Sequence, residues 1–262
     1  MKNILITGAI RGLGKSLTEL LLSKGYSVFG TTRNLKNTTE QKNLKLFYLD
    51  FCNKESISNI VDYFRKTGTP LHGIVHNAGI AYLDPVEILD EEEYRRTFEV
   101  NFFGPIALTK QLLPNLKKTQ KSNLIFISSI VSIDCWPYLG AYAASKRAIE
   151  AVAFEWASLL KSWNVQVSII QPNPLPTDMA IQRSKNVSKS HYPELGNRHL
   201  EWESIEETVE LIYKILEDEA PRFQYQTGKY SKQTASKFLN EKAYQNSLEE
   251  NQNHFINLLS SC

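Results

Sequence analysis

Apolar residues along this chain fall into two alternating rhythms. Short runs with little polar alternation occur at Asn3–Thr7, Tyr26–Thr31, Leu44–Leu49, Gly73–His76, Leu124–Ser128 and Val165–Gln171, rich in Ile, Leu, Val and Phe. Such runs suit strands buried on both faces of a parallel sheet. Between them, Lys15–Lys24, Ser56–Arg65, Tyr94–Lys118 and Ala141–Ser162 carry apolar residues at helical spacing; in the first, Leu17, Leu20 and Leu21 share a face. The alternation predicts a doubly wound α/β fold, with a mostly parallel central sheet of about seven strands and helices on both faces. Past Pro172 the pattern changes to a polar stretch from Met179 to Trp202, a helix near Ile205–Glu217 and a helical tail. No long linker, repeat or low-complexity block interrupts it, so residues 1–262 read as one domain.

Composition narrows the class. A length of 262 residues, 42% hydrophobic and 22% charged, fits one large α/β domain. The net charge of +2 gives no argument for nucleic acid or an acidic membrane surface. The first strand begins almost at Met1, which leaves no room for a targeting peptide, and no apolar run is long enough to span a bilayer. Cys52, Cys135 and Cys262 are odd in number and scattered, as reduced thiols of a cytoplasmic protein would be. The five histidines have no metal-ligand spacing, so no metal site is expected.

The first candidate chemistry lies at Thr7-Gly8-Ala9-Ile10-Arg11-Gly12-Leu13-Gly14-Lys15-Ser16. From Ala9 it is nearly a nucleotide triphosphatase phosphate loop ending in Gly14-Lys15-Ser16, with Asp50 at a strand end as the acid for magnesium. From Gly8 it is the glycine-rich turn of a dinucleotide site. Either way, a strand feeding glycines and then a helix presents backbone N–H groups and a positive dipole end to phosphate. The loop alone leaves both readings open.

Four further features favour the dinucleotide. Tyr142 and Lys146 stand four apart on a predicted helix, hence on one face. Ser129 follows the strand Leu124–Ser128, His76-Asn77-Ala78-Gly79 ends another strand, and Asn101 sits in a helix among Val100, Phe102 and Phe103. In a parallel sheet the carboxyl ends of strands share one rim, where ligands bind. Together with Asp50 and Pro172 through Thr177, these residues resemble the short-chain dehydrogenase/reductase family over nearly the whole chain. The resemblance implies a Rossmann-type domain and nicotinamide-dependent interconversion of alcohols and carbonyls, with Lys15 a bystander.

By that resemblance Tyr142 is the general acid and base, Lys146 favours its phenolate and holds the nicotinamide ribose, and Ser129 bonds the substrate oxygen. Ser128 is the alternative to Ser129. Asn101 holds a water linking Lys146 to solvent. The cofactor is held by Gly8, Arg11, Gly12, Leu13, Gly14, Arg33, Asp50, Phe51, Asn77, Ala78, Gly79, Tyr142, Lys146, Pro172 and Thr177, with Asp50 at the adenine or, alternatively, a helix N-cap. An acid usually ends the second strand in NAD sites and repels a 2′-phosphate. Here Thr32-Arg33 follows that strand, and the arginines at 11 and 33 favour NADP(H) over NAD(H).

The chain departs from the family at Pro172-Asn173-Pro174-Leu175-Pro176-Thr177, where Asn173 replaces a glycine. Asparagine tolerates left-handed backbone and is expected to take that conformation here. Residues of about 179–203 form the expected substrate lid. Its Arg183, Lys185, Lys189 and Arg198 read either as a solvated loop or as a seat for an anionic group. Cys135, Trp136 and Tyr138 are expected along the pocket wall, implying an apolar or ring-containing substrate. Within a C-terminal extension of about 220–262, Pro221–Thr227 resembles the branch with 17β-hydroxysteroid and retinol dehydrogenases. Helices 94–118 and 141–162 imply a homodimer or homotetramer, with Phe154 and Trp156 at the interface or in the core. The same scaffold also supports epimerases, dehydratases, hydrolases and NADPH-sensing regulators.

Overall fold

The computed structural model describes residues 1–36, 41–82, 84, 89–177 and 202–238. Seven strands form a sheet: β1 (Asn3–Ile6), β2 (Ser27–Thr32), β3 (Leu44–Tyr48), β4 (Gly73–His76), β5 (Ser122–Ile127), β6 (Val165–Pro172) and β7 (Gln224–Thr227). They pair in parallel throughout, in the order β3-β2-β1-β4-β5-β6-β7. The chain leaves β1 toward one edge, then returns to pair β4 on its other side. That reversal opens a crevice at the carboxyl ends of β1 and β4, the place where such sheets take ligands.

Helices cover both faces: α1 (Gly12–Ser23), α2 (Lys54–Thr67), α3 (Glu91–Phe98), α4 (Gly104–Leu116), α5 (Gly140–Leu160), α6 (Ile205–Glu217) and α7 (Lys229–Phe238). On one face Phe64, Leu108, Leu112 and Ala153 pack against Leu5, Ile74 and Leu124. On the other, Leu17, Leu21 and Ile212 pack against Ile4, Val75 and Ile125. Alternate residues of each central strand therefore serve opposite cores, which is why those strands show no polar alternation. Phe154 and Trp156 are partly buried against the first core.

Two elements differ from the sequence reading. The helix expected over 94–118 is α3 and α4 joined by a π-helical turn, Glu99–Phe103, with Asn101 at its middle. Pro105 has no N–H to give the Asn101 carbonyl four residues back, so an α-helix cannot close there. The last strand, Gln224-Tyr225-Gln226-Thr227, looks polar in sequence. Its polarity is satisfied inside the fold: the Gln224 and Gln226 amides donate to Gln171 Oε1 on β6 at 2.7 and 2.8 Å.

Candidate active site

A cleft of about 910 Å³ opens at the carboxyl rim of the sheet. One wall is the turn from β1 into α1. Gly8 there has φ of +73°, and its N–H donates to Thr31 Oγ1 at 3.1 Å. A Cβ on Gly14 would lie 2.1 Å from the Gly8 carbonyl oxygen, so this position allows α1 to start against the end of β1. Arg11 stands at the N-cap of α1 but its side chain does not cap the helix, and the first turn contains no acid. By contrast α2, α3 and α6 are capped by Asn53, Asp90 and Ser204. The uncapped first turn of α1 at the cleft suits an anionic pyrophosphate. Lys15 does not line the cleft; its ammonium stands 3.8 Å from Glu19 on the exposed side of α1.

The turn after β4 closes this wall. Asn77 and Ala78 N–H groups donate to Thr7 Oγ1, each at 3.0 Å, and Asn77 Nδ2 donates to the Thr7 and Gly8 carbonyls at 2.9 and 3.1 Å. Asn77, Ala78 and Gly79 line the cleft, but the Asn77 amide fastens one loop to the other. On the opposite side Thr177 folds over Gly12, where a Cβ would meet its methyl at 3.1 Å.

Tyr142 and Lys146 lie on the inward face of α5, 4% and 5% exposed, and both line the cleft. Lys146 Nζ is 5.6 Å from the Tyr142 ring centroid and donates to the Ile127 carbonyl at 2.7 Å. Burial pulls the lysine down to about 8, against an opposing pull from the Glu150 carboxylate. Ser128 and Ser129 both line the cleft, but Ser128 donates its hydroxyl to buried Glu150 at 2.5 Å. Ser128 thus commits its hydroxyl away from the rim.

Asn101 does not line the cleft; it stands behind Gly79. Its Oδ1 accepts from Ile80 N–H at 2.9 Å, and its Nδ2 donates to the Ile80 carbonyl at 2.9 Å and Ser145 Oγ at 3.0 Å. The amide thereby ties the π turn to the loop after β4 and to α5. Its main-chain carbonyl is the group that Pro105 deprives of a helical donor.

At the far end, exposed Arg33 follows β2 and lines the cleft with Arg11. No acid stands from Thr31 to Lys36. Asp50 lines the cleft and accepts from Cys52 N–H at 3.0 Å; the cap of α2 is Asn53, not Asp50. Phe51 lines it too, with its ring packed against Gly104. The glycine cradle and the open first turn of α1 therefore fit a dinucleotide.

Some expectations need correction or fall elsewhere. Asn173 is not among the residues with positive φ, so it does not mimic glycine. Its buried side chain donates to Glu203 Oε1 at 2.9 Å, and Glu203 N–H donates to the Pro174 carbonyl at 3.1 Å. The asparagine thus joins the loop after β6 to the chain entering α6. Cys135, Trp136 and Tyr138 do not line this cleft. Cys135 is exposed, and the Trp136 ring packs edge-on against Tyr230 of α7 at 5.9 Å. The lid residues Arg183, Lys185, Lys189 and Arg198 lie outside the described residues.

Glu150 was not anticipated. Spacing held the signal, since 142, 146 and 150 repeat at four residues and place an acid on the face of the tyrosine and lysine. Among the described residues no group of three or more His, Cys, Asp or Glu could hold a metal, and no helix is long and apolar enough to cross a membrane.

The profile of the short chain dehydrogenase family matches residues 2–188. A 3-amino-tetrahydro-pyrrolizinone reductase from Xenorhabdus hominickii is 35% identical over 179 residues, 67% of this chain and 62% of that protein. The match therefore spans less than two-thirds of that relative. An NADPH-dependent 3-dehydrocapnine reductase from Ornithobacterium rhinotracheale is 31% identical over 190 residues, 68% of this chain and 67% of that protein. The solved short chain dehydrogenase from Burkholderia cenocepacia J2315, in complex with NADP, shares the fold with a TM-score of 0.76 at 23% identity, over 95% of this chain and 99% of that one. With a parallel seven-stranded sheet, a glycine turn at its switch point and these matches, the chain belongs to the short-chain dehydrogenase family of oxidoreductases.

Proposed function

We propose that this protein is an NADP(H)-dependent oxidoreductase that interconverts a ketone or aldehyde and an alcohol. The observation that carries the reading is the buried pair Tyr142 and Lys146 on the wall of a cleft that also contains the α1 glycine turn and Arg33. When bound, the nicotinamide cofactor supplies or accepts the hydride.

The chain's own residues do the rest. Gly12, Leu13 and the first turn of α1 bind the pyrophosphate, Asp50 the adenine, and Arg33 with Arg11 the 2′-phosphate. Lys146 holds the nicotinamide ribose, and Thr177 the carboxamide. Tyr142 gives its phenolic proton to the carbonyl oxygen as charge builds there, and Ser129 donates a hydrogen bond to the same oxygen. An ammonium beside a phenol favours the phenolate, so the spent tyrosine is stable until it regains a proton. Asn101 holds the relay water through its main-chain carbonyl. Support for NADP(H) comes from the missing acid after β2 and from the relative named NADPH-dependent. Subunits pair through the segment 94–118, which runs from within α3 through the π turn and α4, and through α5; Phe103 of the π turn is 53% exposed.

The test is a carbonyl panel with NADPH and the wild-type and Tyr142→Phe proteins. Oxidation of NADPH by the wild type, lost in the variant while cofactor fluorescence still titrates, is the expected result. Saturable NADPH binding with no consumption across ketones and aldehydes would overturn the reading.

A further inference from the structure

We propose that Glu150 is a positioning residue of the site, which sets the Ser129 hydroxyl toward the cleft by gripping the residues on either side of it. The proposal rests on the catalytic reading of Ser129 given above. Glu150 is 2% exposed, one turn beyond Lys146 on α5. A carboxylate so deep is costly unless donors surround it, and a well-packed apolar residue would serve stability as well. Here the donors converge on one oxygen. Ser128 Oγ is 2.5 Å, Ser132 Oγ 2.6 Å and Gln171 Nε2 2.8 Å from Glu150 Oε1, while Arg147 Nη1 reaches Oε2 at 3.3 Å.

The identity of those donors gives the carboxylate its function. Ser128 immediately precedes Ser129, and Ser132 ends the short 3-10 turn that Ser129 caps. Ser132 Oγ is also 2.7 Å from the Ser129 carbonyl oxygen, so its single hydroxyl proton is shared between that carbonyl and Glu150. Gln171 belongs to β6, one residue before the cofactor loop at Pro172. By contrast, the bond from Val131 N–H to Ser129 Oγ is long at 3.4 Å and restrains that hydroxyl weakly. The aim of Ser129 is therefore set by its backbone, and its backbone is held on both sides by Glu150.

Glu150 also bears on the neighbouring lysine. The Lys146 ammonium faces Tyr142 and Glu150 on its own helix and the buried imidazole of His76 on β4, held neutral by burial. Of these, the carboxylate supports the charged lysine against its desolvation.

The experiment compares full-length wild type, Glu150→Ala, Glu150→Gln, Ser129→Ala and Glu150→Ala/Ser129→Ala. Amide hydrogen exchange over Val131–Asp134 is expected to quicken by about tenfold or more in Glu150→Ala, while Leu5, Ile74 and Ile125 keep their protection. NADPH-linked carbonyl reduction should lose about tenfold or more in kcat in Glu150→Ala, yet less than about threefold when Ser129 is already Ala, because the two act as a unit. Glu150→Gln keeps an oxygen acceptor and is expected to fold where Glu150→Ala does not. At neutral pH it should show a smaller kcat loss and a cofactor Kd within about twofold of wild type, and its alkaline fall in activity should begin at a lower pH than in wild type as the lysine loses its counter-charge. Unchanged exchange at 131–134, or kcat losses that multiply across the two sites, would overturn the positioning role. If the wild type reduces no carbonyl, the functional reading fails on its own and the exchange measurement alone decides what Glu150 holds.

Discussion

Gly14 and Gly8 approach so closely that any side chain at Gly14 would enter the Gly8 carbonyl, with a Cβ placed 2.1 Å from its oxygen and 2.6 Å from Asn77 Nδ2. The contact joins the first turn of α1 to the turn that follows β1 and to the loop that follows β4. Gly14→Ala must therefore separate α1 from β1. Overpacking of this kind costs about 3 kcal/mol or more, a fall of about 6–12 °C in Tm for a chain of this size. Lys15→Ala, one residue on, should leave both Tm and cofactor affinity unchanged, because that side chain is solvated. Calorimetry and a fluorescence titration check the pair, and loss of cofactor binding in Lys15→Ala would revive the triphosphate reading.

Arg33 sets cofactor choice in the proposed site. A guanidinium fork at a phosphate is a charge-assisted contact, and its loss should raise KM for NADPH by about tenfold or more with little change for NADH. Steady-state kinetics of Arg33→Ala with both cofactors provide the check. Equal effects on the two, or a wild type that prefers NADH, would remove the 2′-phosphate assignment.

The buried lysine gives the enzyme an alkaline limit. Burial lowers Lys146 to about 8, so the ammonium is present below that pH and lost above it. If the cation holds the ribose, cofactor affinity falls as pH rises from about 7 to 9, and binding at the alkaline end takes up one proton. A titration of NADPH binding across that range in wild type and Lys146→Arg tests this, since an arginine stays charged throughout. A flat wild-type profile would detach the lysine from the cofactor.

Sequence showed the residues of the rim well and their orientations poorly. Leu5, Ile74 and Ile125 are apolar because each central strand feeds two cores, so the strands were legible from composition. The polarity of β7 concealed it, because Gln224 and Gln226 find their partner in Gln171, a tertiary neighbour. The π turn had a local cause in Pro105, visible in sequence only once the helix frame was known. Ser128 and Ser129 were inseparable for the same reason as Asn173. Which way a small polar side chain turns depends on Glu150 or Glu203, 22 and 30 residues away.

Buried His76 makes an acid-stability prediction. Its ring is 3% exposed, stacks on Phe126 with centroids 4.9 Å apart, and has Nε2 2.6 Å from Thr109 Oγ1. Burial lowers it to about 3, with the Lys146 charge adding to the effect, against an ordinary 6.5. Between those values the unfolded chain binds a proton that the folded chain refuses. Stability is therefore lost as pH falls below 6.5, by roughly 1.4 kcal/mol per unit, until the folded ring itself titrates. His76→Asn keeps a polar group near Thr109 and cannot titrate. Carboxylates contribute to acid loss in both proteins, so the difference between them isolates the histidine. Between pH 7 and 4.5 the wild type should lose about 2 kcal/mol more than His76→Asn in urea unfolding, whatever the variant's stability at neutral pH. Parallel losses in the two proteins would mean that the imidazole accepts its proton while folded.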